Sequence, residues 1–350
     1  MSHIWLRAEQ RQNEKRTGLT PDGAAELLAQ GHSVTVEESP TRTFPIGDYA
    51  QAGCITAPAG SWVEAPSDAV ILGLKELPDN ESPLRHRHVM FGHAFKGQHA
   101  GRRLLERFRR GGGALYDLEH LVDERGHRVA AFGYWAGYVG AAVSLKAWAA
   151  QRRGEICPPV NTCKSKAALL TELRTELTGL GAARPSVIVI GALGRVGTGA
   201  VELCEAVEIA PTKWDMRETA PGGPFPEILD HSIFLNCILA RPGIPAFVPR
   251  EAMRAPRRLT VIGDIACDPD SDYNPIPIYD RATSWKTPVT RVYAHPPLDV
   301  MAIDNLPSLL PREASESFAA QLLPALTRLH ERDEGIWARA KAIFQEHLKG

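Results

Sequence analysis

A chain of 350 residues, 44% hydrophobic and 23% charged, has the length for two domains and the composition of an ordinary globular protein. Its formal net charge of −1 and the lack of any Lys/Arg-rich run leave no electrostatic footprint for nucleic acid. No apolar stretch approaches the roughly 20 residues of a bilayer span, the N-terminal MSHIWLRAEQRQNEKR has no signal-peptide core and the C-terminal QEHLKG is no peroxisomal address, so the expected setting is the cytoplasm.

The first hundred residues alternate helix and strand signals. Thr20 suits the cap of a helix that Pro21 opens, with Leu27 and Leu28 on its apolar face and Gly31 at its exit. Residues 33–37 read as a strand. Residues 69–74, ending in Lys75 and Glu76, and residues 89–95 are short apolar runs of the kind that form buried parallel strands. Gly111-Gly112-Gly113 breaks the chain before a short segment at 114–117. Residues 123–127 look like a turn and residues 129–132 like another strand. Residues 133–150 are apolar and rich in Gly and Ala, long enough for a packed helix, and residues 152–163 form a loop. A βαβ pattern follows: strand at 186–190, glycine-rich turn at 191–199, helix at 200–207, and a second strand ending at Lys213-Trp214-Asp215. Residues 232–238 and 259–265 are further apolar strands. From Pro311 onward the pattern is helical. The six cysteines, Cys54, Cys157, Cys163, Cys204, Cys237 and Cys267, form no C-x-x-C pair, which argues against a structural zinc site and for reduced, buried, small apolar residues.

The turn Gly191-Ala-Leu-Gly194-Arg-Val-Gly197 follows a strand and opens a helix, where free N–H groups and the helix dipole favour a pyrophosphate. Its G-x-x-G-x-x-G spacing is one residue longer than the usual dinucleotide fingerprint, so the strand–turn–helix context carries the reading. Asp215 stands where a carboxylate accepts hydrogen bonds from adenosine ribose hydroxyls and repels a 2′-phosphate, which favours NAD; Arg217 nearby is the residue that would favour NADP.

Polar residues gather at the ends of the apolar runs in the first half, where ligands collect in parallel sheets. Lys75 ends VILGLK, where desolvation would lower its pKa and suit it to accept a proton. His93 ends VMFGH and suits acid/base work, with Lys96 three residues on. Arg16 and Arg128 are candidate carboxylate clamps. His86, His88, His93 and His99 have neither helical pairing nor accompanying carboxylates, so no metal is expected.

Long segments of the chain resemble a known family: LRAEQRQNEKRTGLTP, ILGLKELP, HVMFGHAFKGQ, LYDLEHLVDERGHRVAAFGYWAGYVGAA, VIGALGRVGTGA, KWDMRET and AIDNLPSLLPREAS, among others, are similar to the NAD-dependent, lysine-forming saccharopine dehydrogenases of fungi, relatives of alanine dehydrogenase and transhydrogenase. The resemblance runs almost end to end. It implies an α/β protein of two Rossmann-like, doubly wound parallel-sheet domains with an active-site cleft between them. The expected division is residues 1–132, joined by helices from 311–350, for substrate, and residues 133–310 for the dinucleotide.

The resemblance further implies Lys75 and His93 as acid/base groups, and substrate contacts at Arg16, Lys96, Arg128 and Phe132, with Glu76 and Glu119 balancing charge. It places cofactor contacts at Gly191, Gly194, Arg195, Val196, Gly197, Asp215, Cys237 and Asp304. Saccharopine, L-lysine and 2-oxoglutarate are the implied small-molecule partners and NAD the cofactor, with a monomer expected. Two departures stand out. Val196 occupies a position where fungal members carry cysteine, so no bond from there to Cys237 can form, and residues 293–300 match poorly ahead of Asp304. Two rival readings stay open. A dehydrogenase of another amino acid or opine would share Lys75, His93 and the cofactor turn. A non-catalytic NAD-binding protein is opposed by the presence of both acid/base residues.

Overall fold

A computed structural model describes the whole chain except Gln12, Lys96, Gly97, Gln98, Asp268, Asp270, Asp272 and Gly350. The chain divides into two compact units, Met1–Ala131 with Pro311–Gly350, and Phe132–Leu310.

In the first unit six strands form one sheet: His3–Leu6 (β1), Ser33–Glu37 (β2), Ile55–Ala57 (β3), Val70–Leu72 (β4), Arg87–Met90 (β5) and Ala114–Asp117 (β6). Their order is β3-β2-β1-β4-β5-β6, and every neighbouring pair is parallel. Register follows the apolar pattern: Ile4 lies between Val34 and Val70, and Leu6 between Val36 and Leu72, all buried. This is the doubly wound order, and it reverses direction between β1 and β4. The helix Pro21–Ala29 begins as its sequence requires, with the Thr20 hydroxyl accepting from the Gly23 N–H. The C-terminal helices Pro311–Leu326 and Gly335–Lys349 complete this unit. Trp337 meets Tyr116 edge-on at 5.5 Å and Phe344 meets Phe108 at 5.4 Å, while the Thr17 N–H donates to Ser315. The strand expected at 129–132 is absent. That run leads directly into the helix Gly133–Arg152, whose N-cap is Phe132, and its neighbourhood makes a bridge between Val122 and Arg128 and a bond from the Val129 N–H to the Leu121 carbonyl.

The second unit's sheet contains Val187–Ile190 (β7), Thr212–Trp214 (β8), Ile233–Asn236 (β9), Val261–Asp264 (β10), Thr290–Tyr293 (β11) and Leu298–Met301 (β12), in the order β11-β12-β10-β9-β7-β8. All neighbours are parallel except β11, which runs antiparallel to β12. The sheet is otherwise parallel, with this one antiparallel strand at its edge. The four residues between β11 and β12 are too few for a crossover, so the chain can only turn back on itself. The poorly matching residues 293–300 form this hairpin. Its core includes Ile188, Ile190, Phe234, Ile262, Leu298 and Val300. The Gly/Ala-rich helix Gly133–Arg152 lies against the helix Arg195–Ala206 with backbones nearly in contact: a Cβ on Gly137 would fall 1.8 Å from the Val196 carbonyl oxygen, and one on Gly199 2.0 Å from that of Tyr134. Among the described residues no helix is long and apolar enough to cross a membrane.

Candidate active site and dinucleotide site

In the first unit the chemistry-bearing residues follow the carboxyl ends of β1, β4, β5 and β6, the edge where ligands sit beside a strand-order reversal. Lys75 lies three residues past β4 and is half-buried. Its main chain is gripped on both sides. The N–H groups of Leu74 and Lys75 donate to the two Glu9 oxygens at 2.7 and 3.0 Å, and the Lys75 carbonyl accepts from Arg7. Glu76 points outward to Arg11 at 2.5 Å. Burial pushes the Glu76 carboxyl up, but its own backbone hydrogen bond, Arg11 and the Lys75 charge together hold it below the usual carboxylate range.

His93 lies three residues past β5 in a left-handed backbone conformation, φ 47°. Its ring stacks on Phe91, and its Nδ1 lies 3.4 Å from Glu119 Oε2. The other Glu119 oxygen accepts from Arg128 Nη2 at 3.1 Å. Glu119 is 15% exposed and the His93 side chain 52% exposed, so the histidine is open to solvent, contrary to the burial expected of it. The strand stops at Met90, so the residue lies in the loop that follows it. Phe132, at the start of the second unit, is half-buried. Lys96 lies outside the described residues.

Arg16, a candidate carboxylate clamp, is buried in the first unit. It is 5% exposed, and Glu14 receives its Nε and Nη2 at 2.9 and 2.6 Å. A buried Arg–Glu pair of this geometry is a built part of the unit.

Asp117 carries no signal that singled it out from sequence, yet it ends β6 and is 1% exposed. Its two oxygens accept from the N–H groups of Gly92 and Glu119 at 3.2 and 2.9 Å, tying the chain before His93 to the chain before its carboxylate partner. Burial, chiefly, raises its carboxyl above the usual range, and the Glu119 charge adds to this. Glu9 and Glu14 were missed for the same reason: an acidic residue near a strand end is usually solvated. The one available signal was their place just beyond β1, in a sheet whose reversal was not yet known.

In the second unit the glycine turn joins β7 to the helix Arg195–Ala206, which starts at the turn itself, five residues earlier than its sequence pattern suggested. Gly191 has φ 84°, a conformation that disfavours any side chain, and a Cβ on Gly197 would fall 2.0 Å from the Gly191 carbonyl oxygen. Gly194 caps the helix without a side-chain bond among the described residues, so the cap offers backbone donors. Arg195 is exposed and Val196 half-buried at this helix start. Asp215 ends β8. Its Oδ2 accepts from the Leu193 N–H in the turn at 2.9 Å, and its Oδ1 from Met216 N–H, with Glu218 completing a capping box. The ribose-binding candidate and the phosphate-binding candidate are thus joined directly. Arg217 is exposed on the short helix that follows. Cys237 follows β9 against Gly191, with burial pushing its thiol well up, and Asp304 is exposed ahead of the turn Leu306–Leu309. The turn can seat a pyrophosphate and the carboxylate a ribose, which is the fit a nicotinamide dinucleotide needs. Among the described residues no group of three His, Cys, Asp or Glu could hold a metal ion.

A family profile described as alanine dehydrogenase/PNT, N-terminal domain, matches residues 5–139. The chain is 46% identical over 357 residues to a protein of Neurospora crassa named saccharopine dehydrogenase [NAD(+), L-lysine-forming], a match covering 99% of this chain and 96% of that one. A Yarrowia lipolytica protein of the same name is 44% identical over 358 residues, covering 99% and 97%. Among solved structures an L-alanine dehydrogenase aligns with a TM-score of 0.67 at 17% identity, covering 94% of this chain and 90% of that one. A transhydrogenase from Sinorhizobium meliloti aligns with a TM-score of 0.62 at 16% identity, covering 94% and 95%. At such identity these two bear on the fold alone.

Proposed function

The chain belongs to the saccharopine dehydrogenase [NAD(+), L-lysine-forming] family, and we propose that it catalyses that reaction, the reversible oxidative cleavage of saccharopine to L-lysine and 2-oxoglutarate. The observation that carries the reading is the placement, at one sheet edge, of a lysine with an anchored backbone and a histidine backed by a carboxylate and an arginine. Saccharopine is a secondary amine flanked by carboxylates, so its oxidation needs a base at nitrogen and an acid/base group for the hydrolysis that follows. Lys75 takes the proton from the secondary amine. NAD, held by the turn at Gly191–Gly197 and by Asp215, would supply hydride acceptance from the adjacent carbon. His93 then moves protons as water adds to the imine carbon and as the carbinolamine collapses to the amine and the oxo acid. Glu119 holds the ring through Nδ1, which leaves proton exchange to Nε2, and Arg128 holds Glu119. Neutralised by Arg128, the carboxylate orients the histidine without a lone charge facing the substrate.

Purified protein with NADH, L-lysine and 2-oxoglutarate should oxidise NADH, and pyruvate with ammonia should not replace that pair. Turnover with pyruvate and ammonia, and none with lysine, would overturn the reading in favour of a different amine and oxo acid.

A further inference from the structure

We propose that Arg7 and Glu9 are positioning residues for the reaction, a buried clamp that fixes the main chain at Lys75 and thereby aims its side chain. The inference rests on Lys75 being the base.

The clamp begins in the topology. β1 and β4 are neighbours in register, so the residues leaving their carboxyl ends, Arg7 to Glu9 and Gly73 to Lys75, run side by side. The ladder between them extends one step, from the Arg7 N–H to the Leu72 carbonyl at 3.0 Å, and then stops. Beyond it the Leu74 carbonyl still accepts from the Phe91 N–H at 3.1 Å, but the N–H groups of Leu74 and Lys75 and the Lys75 carbonyl need side chains or water. Glu9 supplies both acceptors, one oxygen to each N–H, and Arg7 supplies the donor to the Lys75 carbonyl. Both polar groups of Lys75's backbone, and the amide before it, are therefore fixed by side chains from one neighbouring segment.

Arg7 and Glu9 also meet each other, Nη1 to Oε2 at 3.4 Å, with side chains 1% and 7% exposed. Their charges oppose, so the clamp adds hydrogen bonds at Lys75 with little net field. Room for the guanidinium comes from Gly73, where a Cβ would fall 2.3 Å from Arg7 Nε. A buried ion pair is a poor way to gain stability, since apolar residues of similar volume often do as well or better. Its distinctive property is directional: it fixes a peptide that a packed apolar pair would leave to find water. A lysine side chain has four rotatable bonds, so a small tilt of its Cα–Cβ bond is carried to the amine as a larger displacement, and about 1 Å of misplacement can cost 100-fold in rate.

The experiment places Glu9→Gln and Gly73→Ala each in the native enzyme and in a Lys75→Met background. Glu9→Gln leaves one accepting oxygen for two N–H groups, and Gly73→Ala pushes Arg7 off its seat from the opposite side. With Lys75 present, each should lower kcat for lysine and 2-oxoglutarate by about 10- to 100-fold while the Kd for NADH stays unchanged. With Lys75→Met, each should cost less than about twofold more, because groups acting through one another are non-additive. Equal losses in both backgrounds would show general damage to the unit and overturn the clamp, as would full activity of either variant with Lys75 present. Amide exchange in the unmodified protein needs no variant to fold: the Leu74 and Lys75 amides should be protected, and exchange at the rate of open loop would overturn the proposal. Normal turnover by Lys75→Met alone would instead overturn Lys75 as the base, a result distinguishable from failure of the clamp.

Discussion

Gly197→Ala puts the dinucleotide assignment at risk. The added Cβ would lie 2.0 Å from the Gly191 carbonyl oxygen and 2.6 Å from the Ala192 Cα, both backbone atoms with no rotamer to escape into. Restoring an ordinary contact of about 3.4 Å requires the turn and the helix Arg195–Ala206 to separate by roughly 1.4 Å, and small-to-large changes in such packing cost about 1–3 kcal/mol. The turn's N–H groups are the ones that must face a pyrophosphate, and hydrogen bonds to a charged group contribute about 1.5–3 kcal/mol each. Losing the alignment of one gives about 10- to 100-fold weaker NADH binding. Fluorescence titration of NADH measures this directly, with thermal melting to confirm folding. Gly47→Ala is the matched control, since a Cβ there meets nothing within 4 Å. A folded Gly197→Ala protein that binds NADH as the unmodified one does would show that the dinucleotide does not sit on this turn.

Lys75→Met and His93→Gln should each lower kcat by on the order of 100- to 10,000-fold with NADH affinity retained, and each should remove one limb of the pH–rate profile; near-normal turnover with an unchanged profile would take that residue out of the mechanism. Asp215 should give the enzyme a preference for NAD over NADP in kcat/KM, and Asp215→Ser should narrow it; equal or better use of NADP by the unmodified enzyme would point to Arg217 instead. His88 sets an acid limit on the first unit. It is fully buried between Trp62 and Phe108, neither ring nitrogen finds a hydrogen-bond partner among the described residues, and burial, with the charges of Arg7, His86 and Arg107 behind it, holds its pKa well below 6.5. The unfolded chain therefore binds a proton that the folded chain refuses, so stability is full above pH 6.5 and falls below it by up to about 1.4 kcal/mol per pH unit. His88→Phe should flatten that fall in urea melts between pH 7.5 and 5.5, and an identical slope in both proteins would refute the account.

Which features were legible follows from where their causes lie. The helix at Pro21–Ala29, the strand β2 and the turn at residues 191–197 are fixed by neighbours in sequence: a capping hydroxyl followed by proline, an alternating apolar run, glycines where backbone must approach backbone. Strand β3 and the helix His99–Gly111 were not read, because Ile55–Ala57 is exposed and short and the helix buries only a narrow apolar face, with Leu105 and Phe108, among its arginines. The four histidines beginning at His86 illustrate the same limit. Their spacing excluded a helical metal pair but was silent on their separation by the fold: His86 Nε2 donates to the Ala65 carbonyl at 2.9 Å, His88 is sealed among aromatic rings, and His93 stands exposed beside Glu119.

The candidate site divides along the same line. Lys75 and His93 were legible because each interrupts an apolar run, an abrupt change that one stretch of chain displays by itself. The groups that hold them were not. Glu9 reaches Lys75 across 66 residues, and Asp117 reaches Gly92 across 25, and each pairing exists only once β1 lies beside β4 and β5 beside β6. Strand order is a property of the whole sheet, set by which apolar faces can be covered together, so no local pattern announces it. The resemblance to the family carried the reacting residues onto this chain by matching motifs. The carboxylates that brace the chain beneath them follow from the sheet, because a parallel ladder that ends leaves peptide groups that something must satisfy.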